Sequence, residues 1–237
     1  MDRMKRYGRR FTLIELLTVV ALISMLMAIG VPAFARMIRG SKVDESARNI
    51  KLALEQAQMR AAAERCYVAV IFPNDSVADS LIPYRMGGFR TAYVRNNGGS
   101  YSFIRWVDGS DWSNAHNGAA LVKVTTVKSD VSPNSDGYVT GCSQSGKKFD
   151  SGALTTVSGI VGDNDDAAAT PTSNPAIIFN PYGGVIGTAR LYLLVSEALI
   201  EGDSITYPTA QSSGSNSTAN YRVLKVNNLT GRVEFEQ

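Results

Sequence analysis

The sequence predicts an α+β fold, in which a long N-terminal helix packs on a mostly antiparallel β-sheet or sandwich. Three observations lead to this expectation. Twenty residues without a charge, 16–35, precede an amphipathic repeat, and the apolar period then changes from helical to strand-like. We expect a leader peptide at 1–10, a transmembrane helix at 11–35, an amphipathic helix at 36–65 and a β-rich globular head at 66–237.

The charge of the chain is concentrated in the leader. The formal net charge is +3, and five basic residues stand against one acidic residue within the first ten positions. The rest of the chain is therefore slightly acidic overall. It offers no global electrostatic attraction for polyanions, and no nucleic-acid partner is expected.

The uncharged stretch 16–35 predicts a transmembrane helix. At 1.5 Å per residue, twenty helical residues span about 30 Å, the thickness of the hydrocarbon core. Basic residues are denser before this stretch than after it, where Arg36, Arg39 and Lys42 stand. This bias keeps the N-terminus cytoplasmic. We expect a single-pass protein of the cytoplasmic (inner) membrane with its head outside the cytoplasm.

A secreted protein with a simple signal peptide is the alternative for this segment. The small-x-small pattern Ala33-Phe34-Ala35 has the form of a cleavage site, and the N-terminus is basic. The apolar run exceeds the usual signal-peptide core of about 7–15 residues. It also begins beside Glu15, a carboxylate for which a signal peptide has no use.

A second helical segment continues the first. Apolar residues recur at spacings of three and four, the period of a helix with one buried face: Val43, Ala47, Ile50, Leu54, Ala57 and Ala61. No strong breaker separates the segments, so we predict one helix of about fifty residues that contains Gly30 and Pro32. Proline lacks an N–H and crowds the preceding turn, which predicts a kink at Pro32.

The remainder of the chain predicts strands. β-branched and apolar runs occupy 66–72, 101–107, 119–127, 154–161, 176–179, 185–195, 221–226 and 232–235. Glycine- and asparagine-rich turns such as 96–99 and 182–184 separate them. The polar stretches 162–175 and 209–220 are predicted to be loops.

The residues Phe11-Thr12-Leu13-Ile14-Glu15-Leu16, followed by the apolar run, resemble the N-terminus of type IV prepilins and type II secretion pseudopilins. The resemblance implies cleavage before Phe11 by a prepilin peptidase, methylation of the new amino group and packing of the helices into a filament. It also implies other pilins or pseudopilins and an inner-membrane assembly platform as partners. The family normally carries glycine or another small residue before the cleavage point, where this chain has Arg10.

Glu15 has two interpretations. Thr12 and Glu15 stand at capping-box spacing, so Glu15 can satisfy an N–H of the first helical turn. A carboxylate inside a membrane usually has a partner as well. In the pilin interpretation, that partner is the α-amino group of Phe11 on a neighbouring subunit, and the two roles can coexist.

Three further stretches resemble a narrower group within this family. They are residues 46–72, the sequence AIIFNPYGG and the terminal LTGRVEF. They resemble the H-type minor pseudopilins and related minor pilins, which implies a subunit of a type II secretion pseudopilus or a type IV pilus. The alternative is a pilus-tip module whose head binds DNA or a surface ligand through Arg222, Lys225 and Arg232.

Other chemistry has little support in the sequence. Cys66 and Cys142 allow one disulfide bridge outside the cytoplasm or two separate buried thiols. The only histidine, His116, lies in a loop-like sequence, and the acidic run at 163–166 lacks the pattern of a calcium loop. We expect no enzymatic activity, no cofactor and no metal site.

Overall fold

The computed structural model describes residues 12–73, 88–113, 118–131, 151–160, 172–187, 189–201, 204–206 and 220–236. The chain forms two compact units, Met1–Arg39 and Gly40–Gln237. The predicted α+β class is confirmed, since the described residues form one long helix, eleven strands and a short 3₁₀ helix at Lys128–Asp130.

The helix α1 runs from Leu13 to Glu64 and contains 52 residues, which confirms the prediction of one long helix. Thr12 caps its start, because its Oγ1 accepts a hydrogen bond from the N–H of Glu15 at 3.3 Å. At the other end, Arg65 adopts the left-handed conformation with φ of 53°. The N–H of Cys66 then reaches the carbonyl of Ala61 at 3.2 Å. This is the 6→1 bond of a Schellman motif, with arginine where glycine is usual.

The strands belong to three sheets. They are β1 Tyr67–Ile71, β2 Arg90–Asn97, β3 Ser100–Trp106, β4 Ala119–Thr125, β5 Thr155–Ile160, β6 Thr172–Phe179, β7 Leu191–Glu197, β8 Leu199–Glu201, β9 Ser204–Thr206, β10 Tyr221–Val226 and β11 Val233–Glu236. Five of them close into a barrel in the order β1-β2-β3-β5-β6, and four form a sheet in the order β11-β10-β7-β4. β8 and β9 pair with each other.

The prediction of a mostly antiparallel sheet or sandwich did not include the closure of five strands into a barrel. Among the described strands, every pairing is antiparallel except that of β3 with β5, which is parallel and joins Tyr101 to Val157. This pairing and that of β1 with β6 close the ring. Such contacts join strands that are far apart in sequence, so no local sequence pattern predicts them.

Strand β2 was not predicted, although the turn that follows it was. Asn97 pairs with Ser100, and the two residues between them, Gly98 and Gly99, have φ of 69° and 100°. Positive φ at both central positions is the requirement of a type I′ turn, which suits the twist of a hairpin. The strands β8 and β9 were also missed. The predicted loop 162–175 is wrong from Thr172 onward, because β6 begins there.

The core lies around the second half of α1. All six residues of the predicted apolar stripe are at most 1% exposed. They belong to one cluster that also contains Val70 and Phe179 of the barrel and Leu193 and Leu224 of the four-stranded sheet. This part of α1 therefore shares one core with both sheets.

A polar network joins the end of α1 to the barrel. The hydroxyl of Tyr93 on β2 donates to Oε2 of Glu64 at 2.7 Å, and this bond raises the pKa of Tyr93. Arg60 lies 3.8 Å from the other oxygen of Glu64. The guanidinium of Arg105 stacks over the Tyr93 ring at 4.4 Å. The network fixes the direction in which the chain leaves the helix.

Two turns, 180–184 and 227–231, interlock beside α1. The N–H of Val185 donates to the carbonyl of Asn228 at 2.8 Å. A Cβ on Gly231 would lie 2.0 Å from the carbonyl oxygen of Gly183. Gln58 of α1 donates to the carbonyl of Thr230. We call these two turns the loop pair.

We expect the chain from Gly40 onward to fold without the preceding segment, because its core is complete within that unit. Leu54→Ala in this truncated chain should lower the free energy of unfolding by about 2–5 kcal/mol, since the side chain is fully buried. Leu52→Ala is the matched control: Leu52 is 53% exposed, and the change should stay within about 0.5 kcal/mol. Denaturant unfolding measures both. Aggregation of the truncated chain without a cooperative transition would contradict this architecture.

Gly231→Ala should destabilise the head more than Gly98→Ala. Both glycines have nearly the same φ, 68° and 69°, so the backbone penalty of about 1–2 kcal/mol is shared. A Cβ at Gly98 meets open space, whereas at Gly231 it collides with a backbone carbonyl. We expect the collision to add roughly 1–3 kcal/mol. Equal losses in thermal unfolding would show that the loop pair is not rigid.

Candidate functional site

The first part of α1 exposes apolar side chains in every direction. The large apolar residues from Leu13 to Met27 are between 46% and 80% exposed within this chain. They include consecutive pairs such as Leu16-Leu17 and Val19-Val20, which point about 100° apart around a helix. A helix that is apolar all round normally lies inside a larger protein, an assembly or a membrane.

Two hydroxyl side chains in this segment bond to the helix itself. Thr18 Oγ1 donates to the carbonyl of Glu15 at 2.9 Å, and Ser24 Oγ donates to the carbonyl of Val20 at 2.8 Å. Such bonds satisfy the hydroxyl donors without water. These two hydroxyl groups are therefore compatible with an apolar environment.

Glu15 is the only charged residue between Thr12 and Gly30. It lies exposed in the first turn of α1, where a carboxylate interacts favourably with the positive end of the helix dipole. Its own N–H is already bonded to Thr12. Its side chain is exposed. Arg10 and Phe11 lie outside the described residues, so the pairing of Glu15 with Phe11 stays a prediction.

Gly30 and Pro32 both lie within α1. Gly30 is exposed, and a Cβ built on it would meet no atom within 4 Å, so no packing contact in the described residues requires glycine there. The kink at Pro32 stays a prediction. The described part of the chain does not include the side chains of residue 29 and residues 31–40. Within the described part, no helix is both long enough and apolar enough to be a membrane span.

Cys66 lies just after α1 as a half-buried free thiol. Burial raises its pKa, and the nearby charge of Glu64 adds to the increase. A raised pKa keeps the thiol in its less reactive protonated form. Cys142 lies outside the described residues, so the disulfide stays a prediction.

The three cations that suggested a binding module each lie beside a carboxylate. Arg222 on β10 forms an ion pair with Asp44 of α1. Lys225 lies 3.7 Å from Glu236, and Arg232 lies 2.9 Å from Glu234. Neighbouring carboxylates reduce the positive potential that a phosphate backbone would meet. Arg222 thus connects β10 to α1, and Lys225 connects β10 to β11.

The aromatic residues of β3 pack as a cluster against the barrel. The rings of Phe103 and Trp106 are 4.9 Å apart, and Trp106 lies 5.6 Å from Trp112. The guanidinium of Arg90 stacks over Trp106 at 4.3 Å and donates through Nε to the carbonyl of Ser110 at 3.0 Å. Burial lowers the pKa of Arg90. The three rings are partly buried against the apolar cluster of the barrel that contains Ala92 and Ile178.

His116 and the acidic residues Asp163, Asp165 and Asp166 lie outside the described residues. Within the described ranges, no group of three or more metal-ligating side chains is found. Sequence analysis missed the loop pair, because its two turns are distant in the chain and each looks like an ordinary turn.

Comparisons with known proteins give two structural likenesses. No protein-family model and no curated protein matches the chain. A crystal structure of the type IV minor pilin FimU of Pseudomonas aeruginosa is similar over 83% of this chain and 90% of its own, with 11% identity and a TM-score of 0.41. A second crystal form of FimU covers 82% of this chain and 92% of its own, with 11% identity and a TM-score of 0.35. At TM-scores below 0.5, these likenesses establish no shared function.

Proposed function

We propose that this chain is a minor pilin or pseudopilin: a subunit processed before Phe11 by a prepilin peptidase and assembled through its N-terminal helix into a type IV pilus or a type II secretion pseudopilus. Methylation of the new amino group, other pilins and an inner-membrane assembly platform belong to this proposal. It rests on the motif at residues 11–16 and on the contrast between the two parts of α1.

The contrast within α1 is the observation that supports assembly. The apolar stripe from Val43 to Ala61 is at most 1% exposed, whereas the large apolar side chains from Leu13 to Met27 are at least 46% exposed. The stripe is buried inside the unit that begins at Gly40, and the side chains from Leu13 to Met27 form an exposed apolar surface. An exposed apolar surface of this extent marks an interaction site.

A membrane and a filament core both suit this segment. The uncharged stretch 16–35 is long enough to span about 30 Å of hydrocarbon, and the basic leader favours a cytoplasmic N-terminus. Lipid tails are as apolar as leucine, so a helix that leaves lipid for neighbouring helices changes its hydrophobic energy little. In this proposal the subunit resides in the inner membrane until it is assembled into the filament.

Glu15 gives the assembly step its specificity. A single acidic residue in an apolar segment costs about 2.5–3.5 kcal/mol on insertion scales unless it finds a partner. The amino group released at Phe11 is such a partner, and it remains a cation when methylated. Between subunits of a filament, their attraction acts in a low dielectric and offsets the cost of burying both ions.

The mature protein should begin at Phe11 and carry a methylated amino group. N-terminal sequencing and mass spectrometry of the protein from its native membrane measure this directly. A mature N-terminus at Arg36 would instead indicate a secreted protein with a simple signal peptide. Arg10→Gly tests the departure from the family pattern: we expect the processed fraction to stay equal or rise, because a small residue replaces a bulky cation before the scissile bond.

Glu15→Gln should leave processing intact and reduce incorporation into filaments sharply. The amide keeps the size of the side chain but forfeits the charge attraction to Phe11, a loss of tenfold for every 1.4 kcal/mol. An immunoblot measures the processed form, and recovery in sheared filaments measures incorporation. Glu55→Gln is the matched control, since it removes one carboxylate of a surface pair with Lys51. Normal incorporation of Glu15→Gln would restrict Glu15 to a role at the helix end.

A further inference from the structure

An asparagine–glycine pair lies where the β2–β3 hairpin turns. Asn97 is the last residue of β2, and Gly98 and Gly99 form the turn before Ser100 begins β3. Asn97 is exposed, and so is every position from 95 to 100. The side-chain amide carbon of an asparagine is close in the chain to the backbone nitrogen of the next residue. When that residue is glycine, no Cβ blocks the approach of the two atoms.

These atoms allow a deamidation that needs only water. The backbone nitrogen of Gly98 attacks Cγ of Asn97, a nitrogen–carbon bond forms, and the side-chain nitrogen leaves as ammonia with the proton of the Gly98 N–H. Water then opens the succinimide ring at one of its two carbonyl carbons. Opening at Cγ gives aspartate with an unchanged main chain. Opening at the former backbone carbonyl carbon gives isoaspartate, in which the main chain runs through Cγ.

Packing against the rest of the head does not enclose this turn. A Cβ built on Gly98 or Gly99 would meet no atom of the described residues within 4 Å. The buried part of the hairpin begins at Val94 on one strand and at Tyr101 on the other. The turn therefore lies beyond the core, where the end of a hairpin opens at a low cost in free energy.

Local hydrogen bonds close the turn and hold the reacting amide. Asn97 Nδ2 donates to Oγ of Ser102 at 3.0 Å, which ties the side-chain amide to β3. Asn96 Oδ1 accepts from the N–H of Gly99 at 2.9 Å. Both bonds are exposed, so water competes for them and their net contribution to stability is small. Deamidation requires the bond between Asn97 and Ser102 to break, and the strength of this bond therefore sets how often the amide is released.

We propose that Asn97 deamidates spontaneously in the folded chain, and that Ser102 slows the reaction by holding the side-chain amide. Each product adds a carboxylate that is ionised at neutral pH. Aspartate keeps the pairing of position 97 with Ser100, whereas isoaspartate lengthens the main chain by one carbon atom and disrupts this pairing. The reaction uses no enzyme and is independent of the proposed function, so the converted fraction increases with the time since synthesis.

Mass spectrometry of the full chain, incubated in detergent solution at mildly alkaline pH, measures the reaction. The tryptic peptide 96–105 contains both Asn96 and Asn97, and fragmentation separates the two positions. We expect conversion at Asn97 and not at Asn96, which is also exposed but precedes a residue with a Cβ. Gly98→Ala should suppress the conversion. No conversion at Asn97 in the folded chain, over a time in which the chain in denaturant converts, would overturn the site.

Ser102→Ala should raise the rate at Asn97 by about two- to tenfold, the equilibrium factor that corresponds to one exposed hydrogen bond. Ser102→Thr keeps the hydroxyl and should retain the slow rate. Ser100→Ala is the matched control, because it removes a neighbouring exposed hydroxyl and leaves the bond between Asn97 and Ser102 in place. Thermal unfolding should be nearly unchanged in all three variants. Equal rates for Ser102→Ala and the original chain, or a faster rate that accompanies an equal loss of global stability, would overturn the role of Ser102.

Discussion

The rest of the head depends on the burial of one apolar stripe of α1. Six small or branched side chains from Val43 to Ala61 lie at the junction of the barrel and the four-stranded sheet. Alone, each sheet would leave an apolar face exposed to water. The second half of α1 alone would leave its apolar stripe exposed. Joining them in one core removes all of these surfaces from water at once.

The small residues in this stripe decide how closely the sheets approach the helix. Ala47, Ala57 and Ala61 are at most 1% exposed and flank Ile50 and Leu54. Alanine lets a strand lie near the helix backbone, and the larger residues fill the space between strands. The strand β7 is buried along its whole length, because the core cluster covers one face and a second cluster around Leu194 covers the other. A strand covered on both faces is apolar without alternation.

The two parts of α1 have different surfaces. Up to Met27, large apolar side chains surround the axis and stay exposed. From Val43 onward, one apolar face is buried, and charged residues together with the exposed Leu52 and Met59 occupy the other faces. Polar connections then orient the head on the second part: Asp44 pairs with Arg222, Gln58 bonds to Thr230, and Glu64 accepts from Tyr93. These three contacts are spread along that part of the helix and restrain its rotation against the sheets.

The sequence by itself determined the features that depend on local periodicity. The buried stripe, the long helix, the strands β1, β3 and β10 and the turn at 96–99 follow from the spacing of apolar and turn residues, because each is encoded within a few consecutive positions. The motif at 11–16 belongs to the same class. Only the tertiary structure decided the closure of the barrel, the pairing of Arg222 with Asp44 and the loop pair. These features join residues up to 178 positions apart, and their geometry depends on the packing of the whole head, which no local pattern records.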